Sequence, residues 1–231
     1  MSAVLDEKKT EYEAVGPAFT KEQMLKVRAE VRAIINQIPS LCKPGMVEED
    51  AVEKARELLA SHGMVRGWHD VYVRFGTNTL KTFGEDSDPG MVLKENDIIL
   101  VDIGPVWEEW EGDGGDTFVV GTAPEMAKCA ADAKALFHIV RKKWESTGIS
   151  GKALYEFAVE EAKAMGWELN MDLSGHRISD FPHAAIYDGP MADVDFKPAP
   201  LLWVLEIHIR NPNGGFGAFY EDMLLDDSYF S

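Results

Sequence analysis

Apolar side chains at Met24, Val27, Val31, Ile34 and Ile38 recur three and four residues apart, which predicts a helix with one buried face, capped by Thr20. Pro44-Gly45 breaks this helix. A second is expected from about Val47 to Ser61, stopped at Gly63. The same unit returns about a hundred residues later. Pro124 opens a helix with Met126, Ala133, Phe137, Val140 and Trp144 on its apolar side, and Gly148 precedes a further helix ending at Gly166. Gly45 to Gly63 and Gly148 to Gly166 are both 18 residues. Within that frame Glu53, Ala55 and Glu57 match Glu156, Ala158 and Glu160, so the chain carries an internal repeat.

Each helix pair is followed by β-rich sequence. The first leads to DVYVRFG (70–76), DIILVDIG (97–104), a WEEWEG turn region and DTFVVG (116–121). The second leads to LLWVLEIHI (201–209), a glycine-rich turn at 213–217 and a strand around Ala218–Leu225. Two helix-helix-hairpin halves predict an α+β fold with pseudo-twofold symmetry. Residues 1–231 are expected to form a single domain, with 1–19 as a loosely ordered lead-in.

At 231 residues the chain is long enough to bury about three-quarters of its unfolded surface without disulfide staples. Its two cysteines, Cys42 and Cys129, form no framework and no CxxC pair, which fits a reducing, cytoplasmic setting. The polar N-terminal stretch has no apolar core of a signal peptide, and no run is long enough to span a bilayer, so a soluble protein is expected. Net charge is −17, from 40 acidic and 23 basic residues. That balance argues against nucleic-acid and membrane binding. It leaves two readings of the acids, solubility and service to divalent cations.

Position favours the second reading for four of them. Asp102 ends an apolar strand and Asp113 follows 11 residues on; Glu206 interrupts LLWVLEIHI and Glu221 follows 15 residues on. Asp102 lies 39 residues past Gly63, and Glu206 lies 40 past Gly166. Asp113 alone reads more readily as part of a solvated glycine-rich loop, and Asp102 equally as a strand-end cap. Glu206 is harder to dismiss, because Val204, Leu205, Ile207 and Ile209 flank it. Carboxylates converging from two symmetric strands repel unless divalent metal neutralises them.

These residues resemble the pita-bread metallopeptidases, which include methionine aminopeptidase, aminopeptidase P and prolidase. The resemblance covers roughly residues 20–227 and rests on KPGMVEED (43–50), DIILVDIG, Asp113, SGHRISDFPH (174–183), Glu206 and Glu221-Asp222. The short interval from Glu206 to Glu221 is more similar to aminopeptidase P and prolidase. The resemblance implies a pita-bread fold and two divalent transition-metal ions (Mn, Fe, Co or Zn) held by Asp102, Asp113, His176, Glu206 and Glu221. It implies that Asp113 and Glu221 bridge the ions, that Glu206 carries a proton, and that His183 contacts substrate. The implied activity is metal-dependent hydrolysis of an amide, at a peptide N-terminus or in an Xaa-Pro dipeptide, by a metal-bridging water.

Departures from the family pattern fall on the substrate side. The usual histidine before the first ligand strand is missing from GTNTLKTFGED (76–86), where Lys81 or Phe83 falls near its place. GHRIS puts Arg177 and Ser179 where glycines are usual, Ala184 replaces a glutamate, and Phe219 stands where an arginine is common. His208 shares a strand face with Glu206, either replacing the lost imidazole or packing as a bonded core residue. Asp116 is either support for the ligands or part of a turn. Trp68, Trp107, Trp110 and Trp203 line a pocket or, by the more common pattern, pack in the core. Two other readings stay open: different chemistry, non-peptide hydrolysis or redox, at the same two-metal site, and a catalytically inactive binding protein. The separate N-terminal domain of prolidase-like proteins is not expected here. The site is then either more open or covered by another subunit, in which case a homodimer forms.

Overall fold

The computed structural model describes residues 2–230. The helices are α1 (Ser2–Tyr12), α2 (Lys21–Ile35), α3 (Ile38–Leu41), α4 (Glu48–Ser61), α5 (Pro124–Thr147) and α6 (Gly151–Ala164). The strands are β1 (Arg66–Gly67), β2 (Tyr72–Phe75), β3 (Asp97–Ile103), β4 (Pro105–Trp107), β5 (Trp110–Glu111), β6 (Gly114–Val120), β7 (Glu168–Leu169), β8 (His176–Arg177), β9 (Trp203–Arg210) and β10 (Gly217–Met223). Thr20 caps α2 by accepting the Gln23 N–H, as its position predicts. Gly148 and Gly166, which end α5 and α6, are left-handed at φ 68° and 90°, a conformation that costs glycine little.

The main sheet runs β2-β3-β6-β10-β9-β7 with antiparallel neighbours, and β8 adds to β9. One sheet face is apolar and packs on helices. Val73, Phe75, Ile99, Val101 and Ile103 join Val31, Ile34, Ala55 and Leu59 of α2 and α4 in one cluster. Leu205, Ile207, Ile209, Ala218 and Tyr220 join Leu136, Val140, Trp144 and Leu154 of α5 and α6 in another. The halves predicted by the repeat are therefore two helix pairs, each roofing its own strands.

Register carries the polar face. Asp102 pairs with Gly115, Gly115 with Glu221, and Glu221 with Glu206, so one row across four strands holds three carboxylates. Paired residues project on the same side, and side chains two apart along a strand share that side. Gly115 occupies the row without a side chain because a Cβ there would lie 2.4 Å from the Phe219 ring. Gly115→Ala is expected to cost about 1–3 kcal/mol through overpacking, read as a lower midpoint in urea unfolding with an unchanged slope.

The N-terminal stretch departs from expectation. Instead of a loose lead-in it forms α1 and a strap. Lys9 Nζ donates to Lys197 O (2.9 Å), and Glu13 Oε1 accepts from Ala199 N (2.7 Å) and Trp203 Nε1 (2.8 Å). Gly16 N donates to Asp180 Oδ1 (2.9 Å), and Tyr12 stacks on Tyr187 at 4.3 Å. No apolar stripe announces such a segment, because point contacts rather than a buried face hold it.

Candidate metal centre

The carboxylate row opens on a cavity of about 410 Å³, within the size range of small-molecule sites. Asp102, Asp113, His176, His183, Glu206 and Glu221 all line it, joined by Trp68, His69 and Phe83. Asp113, two residues before Gly115, points the same way as the row; His176 arrives on β8, which pairs with β9 beside Glu206. The pseudo-symmetric strands thus bring four buried or nearly buried acids to one place.

Their hydrogen bonding is incomplete. Asp102 Oδ1, Asp113 Oδ2 and Glu221 Oε1 are buried without a hydrogen-bond partner among the described residues. Such atoms are costly to bury and call for an unseen partner. His176 Nε2 stands 2.9 Å from Asp113 Oδ2 but out of hydrogen-bond alignment. Glu206 Oε2 accepts from Gly175 N (2.7 Å), and its backbone is clasped by the Tyr155 hydroxyl, which donates to Glu206 O (3.0 Å). Two donor groups have ligand atoms close enough to share an ion: His69, Asp102 and Asp113, and Asp113, His176 and Glu221. The residues fit divalent metal, with Asp113 common to both groups.

Without metal, protons must neutralise this cluster. Burial, reinforced by the Asp113 charge, raises Asp102 to about 6, and burial with the Asp113 and Asp102 charges raises Glu206 to about 7. Burial and the same neighbouring acids push Glu221 well above the carboxylate range. Burial would raise Asp113 too, but the adjacent His176 and His69 imidazoles hold it at about 2. Burial disfavours the imidazolium at both histidines and is outweighed by the acids. Asp102 and Asp113 bring His69 to about 9, and Asp113 brings His176 to about 10.

Four other sequence candidates lie away from the cavity. Asp116 follows Gly115 by one residue and so faces the helices, where Arg32 (3.4 Å) and Lys134 (3.6 Å) pair with it. Arg177 alternates with His176 on β8. Buried, it donates to Leu202 O (2.6 Å) and Ala14 O (2.9 Å) and ties the strap to the core; burial lowers it to about 10. Lys81 pairs with Asp88 at 3.2 Å. His208 does share the Glu206 face, but its Nε2 donates to Thr79 O (2.8 Å), its Nδ1 accepts from Asn170 (3.1 Å), and burial lowers it to about 4. It is a neutral, fully bonded core imidazole, so it does not replace the missing loop histidine. Of the tryptophans only Trp68 lines the cavity, while Trp203 is core and Trp107 donates to His62 O (3.0 Å).

Two residues at the site escaped the sequence reading. Glu111 accepts from the His183 backbone N–H (2.9 Å) and ring Nδ1 (2.7 Å), reaching it from the β5 hairpin. His69 reaches the acids from the turn before β2, some residues ahead of the stretch where an imidazole was sought. The available signal was the WHD triplet (68–70) leading into a strand paired with the Asp102 strand.

Comparison with known proteins agrees with this architecture. Methionine aminopeptidase A of Synechocystis sp. is 25% identical over 173 residues, covering 71% of this chain and 66% of that protein. The methionine aminopeptidase of Clostridium acetobutylicum is 25% identical over 171 residues, covering 70% and 66%. The chain thus spans just under two-thirds of the length of these relatives. Among solved structures, the X-Pro aminopeptidase of Thermotoga maritima superposes with a TM-score of 0.72 at 17% identity, over 96% of this chain and 64% of that one. The prolidase of Pyrococcus horikoshii gives 0.67 at 18% identity, over 96% and 62%. At such identities the likeness is one of fold, and it is the pita-bread fold. The sequence pattern of metallopeptidase family M24 matches residues 22–225, nearly the whole of the described structure, and the chain belongs to that family.

Proposed function

We propose that the protein is a hydrolase using two divalent transition-metal ions to cleave an amide bond at a peptide N-terminus or in an Xaa-Pro dipeptide. The observation that carries this reading is the set of three unpartnered buried carboxylate oxygens, on Asp102, Asp113 and Glu221, facing one cavity. The aminopeptidase and prolidase names of the relatives support the substrate class. Asp102, Asp113, His176, Glu206 and Glu221 would hold the ions, with Asp113 and Glu221 shared. Bound there, such ions supply an acidified water and a polarised amide carbonyl.

The chain's own groups do the rest. Glu206 keeps one oxygen on Gly175 N and presents the other to the cavity, in position to take a proton from water and pass it to the departing amine. Glu111 fixes His183 by backbone and Nδ1, so Nε2 is aimed at the substrate, where it steadies charge developing on the amide oxygen. Trp68 and Phe83 give the cavity an apolar wall for a substrate side chain. The two buried, unpaired cysteines suit a reducing compartment such as the cytoplasm. No helix among the described residues is long and apolar enough to cross a membrane.

Metal content of the purified protein, followed by a peptide panel with Mn, Co, Fe or Zn added, tests the reading. Two bound equivalents and release of an N-terminal residue are expected. Two tightly bound ions with no turnover of any peptide would overturn the peptidase assignment. Uptake must also displace the protons held near Glu206 and Glu221. The apparent affinity for Mn(II) is therefore expected to tighten by at least about tenfold per pH unit between pH 6 and 8, measured by calorimetry in two buffers to count protons released.

A further inference from the structure

We propose that His69 is a sixth metal ligand, joining Asp102 and Asp113 on one ion through Nε2, so that the centre comprises four carboxylates and two imidazoles. The inference rests on the two-ion reading above and adds a residue that the M24 resemblance does not supply. His69 Nδ1 lies 2.6 Å from Asp70 O. A carbonyl oxygen only accepts, so Nδ1 keeps its proton, and Nε2 is the nitrogen left to bind a metal once its own proton is given up. Nε2 faces Asp102 Oδ1 at 3.4 Å and Asp113 Oδ1 at 3.3 Å. Without metal, a proton on Nε2 is shared with Asp113 Oδ1; a cation in that proton's place would be held by all three atoms, at a histidine side chain only 4% exposed.

The spacing is that of ligands around a single ion. Atoms each about 2.1 Å from a metal and at right angles to one another stand about 3 Å apart. The pocket is also shaped for the ring. A Cβ on Gly104 would lie 2.2 Å from His69 Cδ2 and 2.3 Å from Nε2, so only glycine leaves this place open. Trp68 closes the other side, edge-on with ring centroids 4.3 Å apart.

His176 repeats the arrangement. Its Nδ1 donates to Arg177 O (2.7 Å), and its Nε2 lies 2.9 Å from the other oxygen of Asp113. Asp113 therefore sits between two imidazoles, each oriented by a backbone carbonyl, as metal-binding histidines are. A centre of four carboxylates and two histidines has the composition of di-iron and di-manganese carboxylate proteins. An added imidazole also shifts preference toward Fe, Co and Zn over Mg and Ca.

Cobalt(II) gives a readout independent of activity. An imidazole bound through Nε2 keeps its Nδ1 proton, which appears as a strongly shifted, solvent-exchangeable resonance in the proton NMR spectrum of the Co(II) protein. Two such resonances are expected in the wild type and one in His69→Ala and His69→Gln. Calorimetric Co(II) titration should show one of two sites weakened at least about tenfold in the variants. One shifted resonance in a wild type that binds two Co(II), or unchanged affinity in a folded His69→Ala, overturns the sixth ligand and leaves the two-ion reading standing. A wild type that takes up no Co(II) overturns both. Should neither variant fold, the wild-type count of two or one decides alone.

Discussion

Metal-free Glu221→Gln at pH 8 is expected to melt several degrees above the wild type, and to bind fewer ions when metal is restored. Glu221 is 1% exposed with an unpartnered Oε1, and burial with its acidic neighbours pushes the carboxyl well above its ordinary value of 4.5. A group whose pKa rises on folding binds more protons in the native than in the unfolded state. Its contribution is fully present below the unfolded value and is lost as pH climbs toward the folded one. Each pH unit in that window costs the native state up to about 1.4 kcal/mol, and a chain of this size shifts by about 2–4 °C per kcal/mol.

Glutamine keeps the shape and does not titrate. The advantage of Glu221→Gln should therefore vanish near pH 4.5 and grow toward pH 8. Asp102, Glu206, His69 and His176 are all raised as well, so the metal-free wild type should lose stability steadily from about pH 4 to pH 10. Asp113 works the other way, since its lowered value gives stability that fades only as pH falls toward 2. Scanning calorimetry at pH 4.5, 6 and 8, with and without Mn(II), reads the whole set. Metal should restore the wild type far more than the variant. A variant melting at or below the wild type at every pH would mean that the protein satisfies these carboxylates by itself.

Glu206→Gln is expected to lower kcat by about 10²–10⁴-fold, with KM within a few-fold of wild type and metal content preserved at saturating Mn(II). The amide can still accept the Gly175 N–H through its oxygen, so the β9 strand and the Tyr155 clasp should stand. What it loses is a carboxylate oxygen that can take a proton from water and pass it to the departing amine. Steady-state kinetics on the best peptide of the panel, with metal measured in the same samples, checks this. A variant within threefold of wild type would move the proton-carrying role to another group, with His183 the nearest candidate.

The helix and strand pattern was readable from sequence because apolar periodicity directly encodes the two helix-covered sheet faces. The carboxylate row was readable because Glu206 contradicts its apolar flanks, and the repeat maps it onto Asp102. Parity along a strand accounts for what was misplaced. Counting three residues past Asp113 puts Asp116 on the helix side, and counting one past His176 puts Arg177 in the core. His208 has the right parity but lies one pleat beyond the cavity, beneath Thr79. His69 and Glu111 were invisible for a different reason. They enter from a turn and a short hairpin whose paths obey no periodicity, and only the folded chain shows where such segments arrive.

The strap made by residues 2–16 bears on how the protein is handled. Tyr12 stacks on Tyr187, next to Asp188 in the cavity wall, while Ala14 and Gly16 are tied to Arg177 and Asp180, close in sequence to His176 and His183. A fusion partner or purification tag attached at this end pulls on the clamp behind two imidazoles of the cavity. A protease nick after Val15 would sever it. Samples differing only in tag placement or N-terminal trimming should then differ in the ordering of the cavity wall and in specific activity, although no altered residue touches the cavity itself.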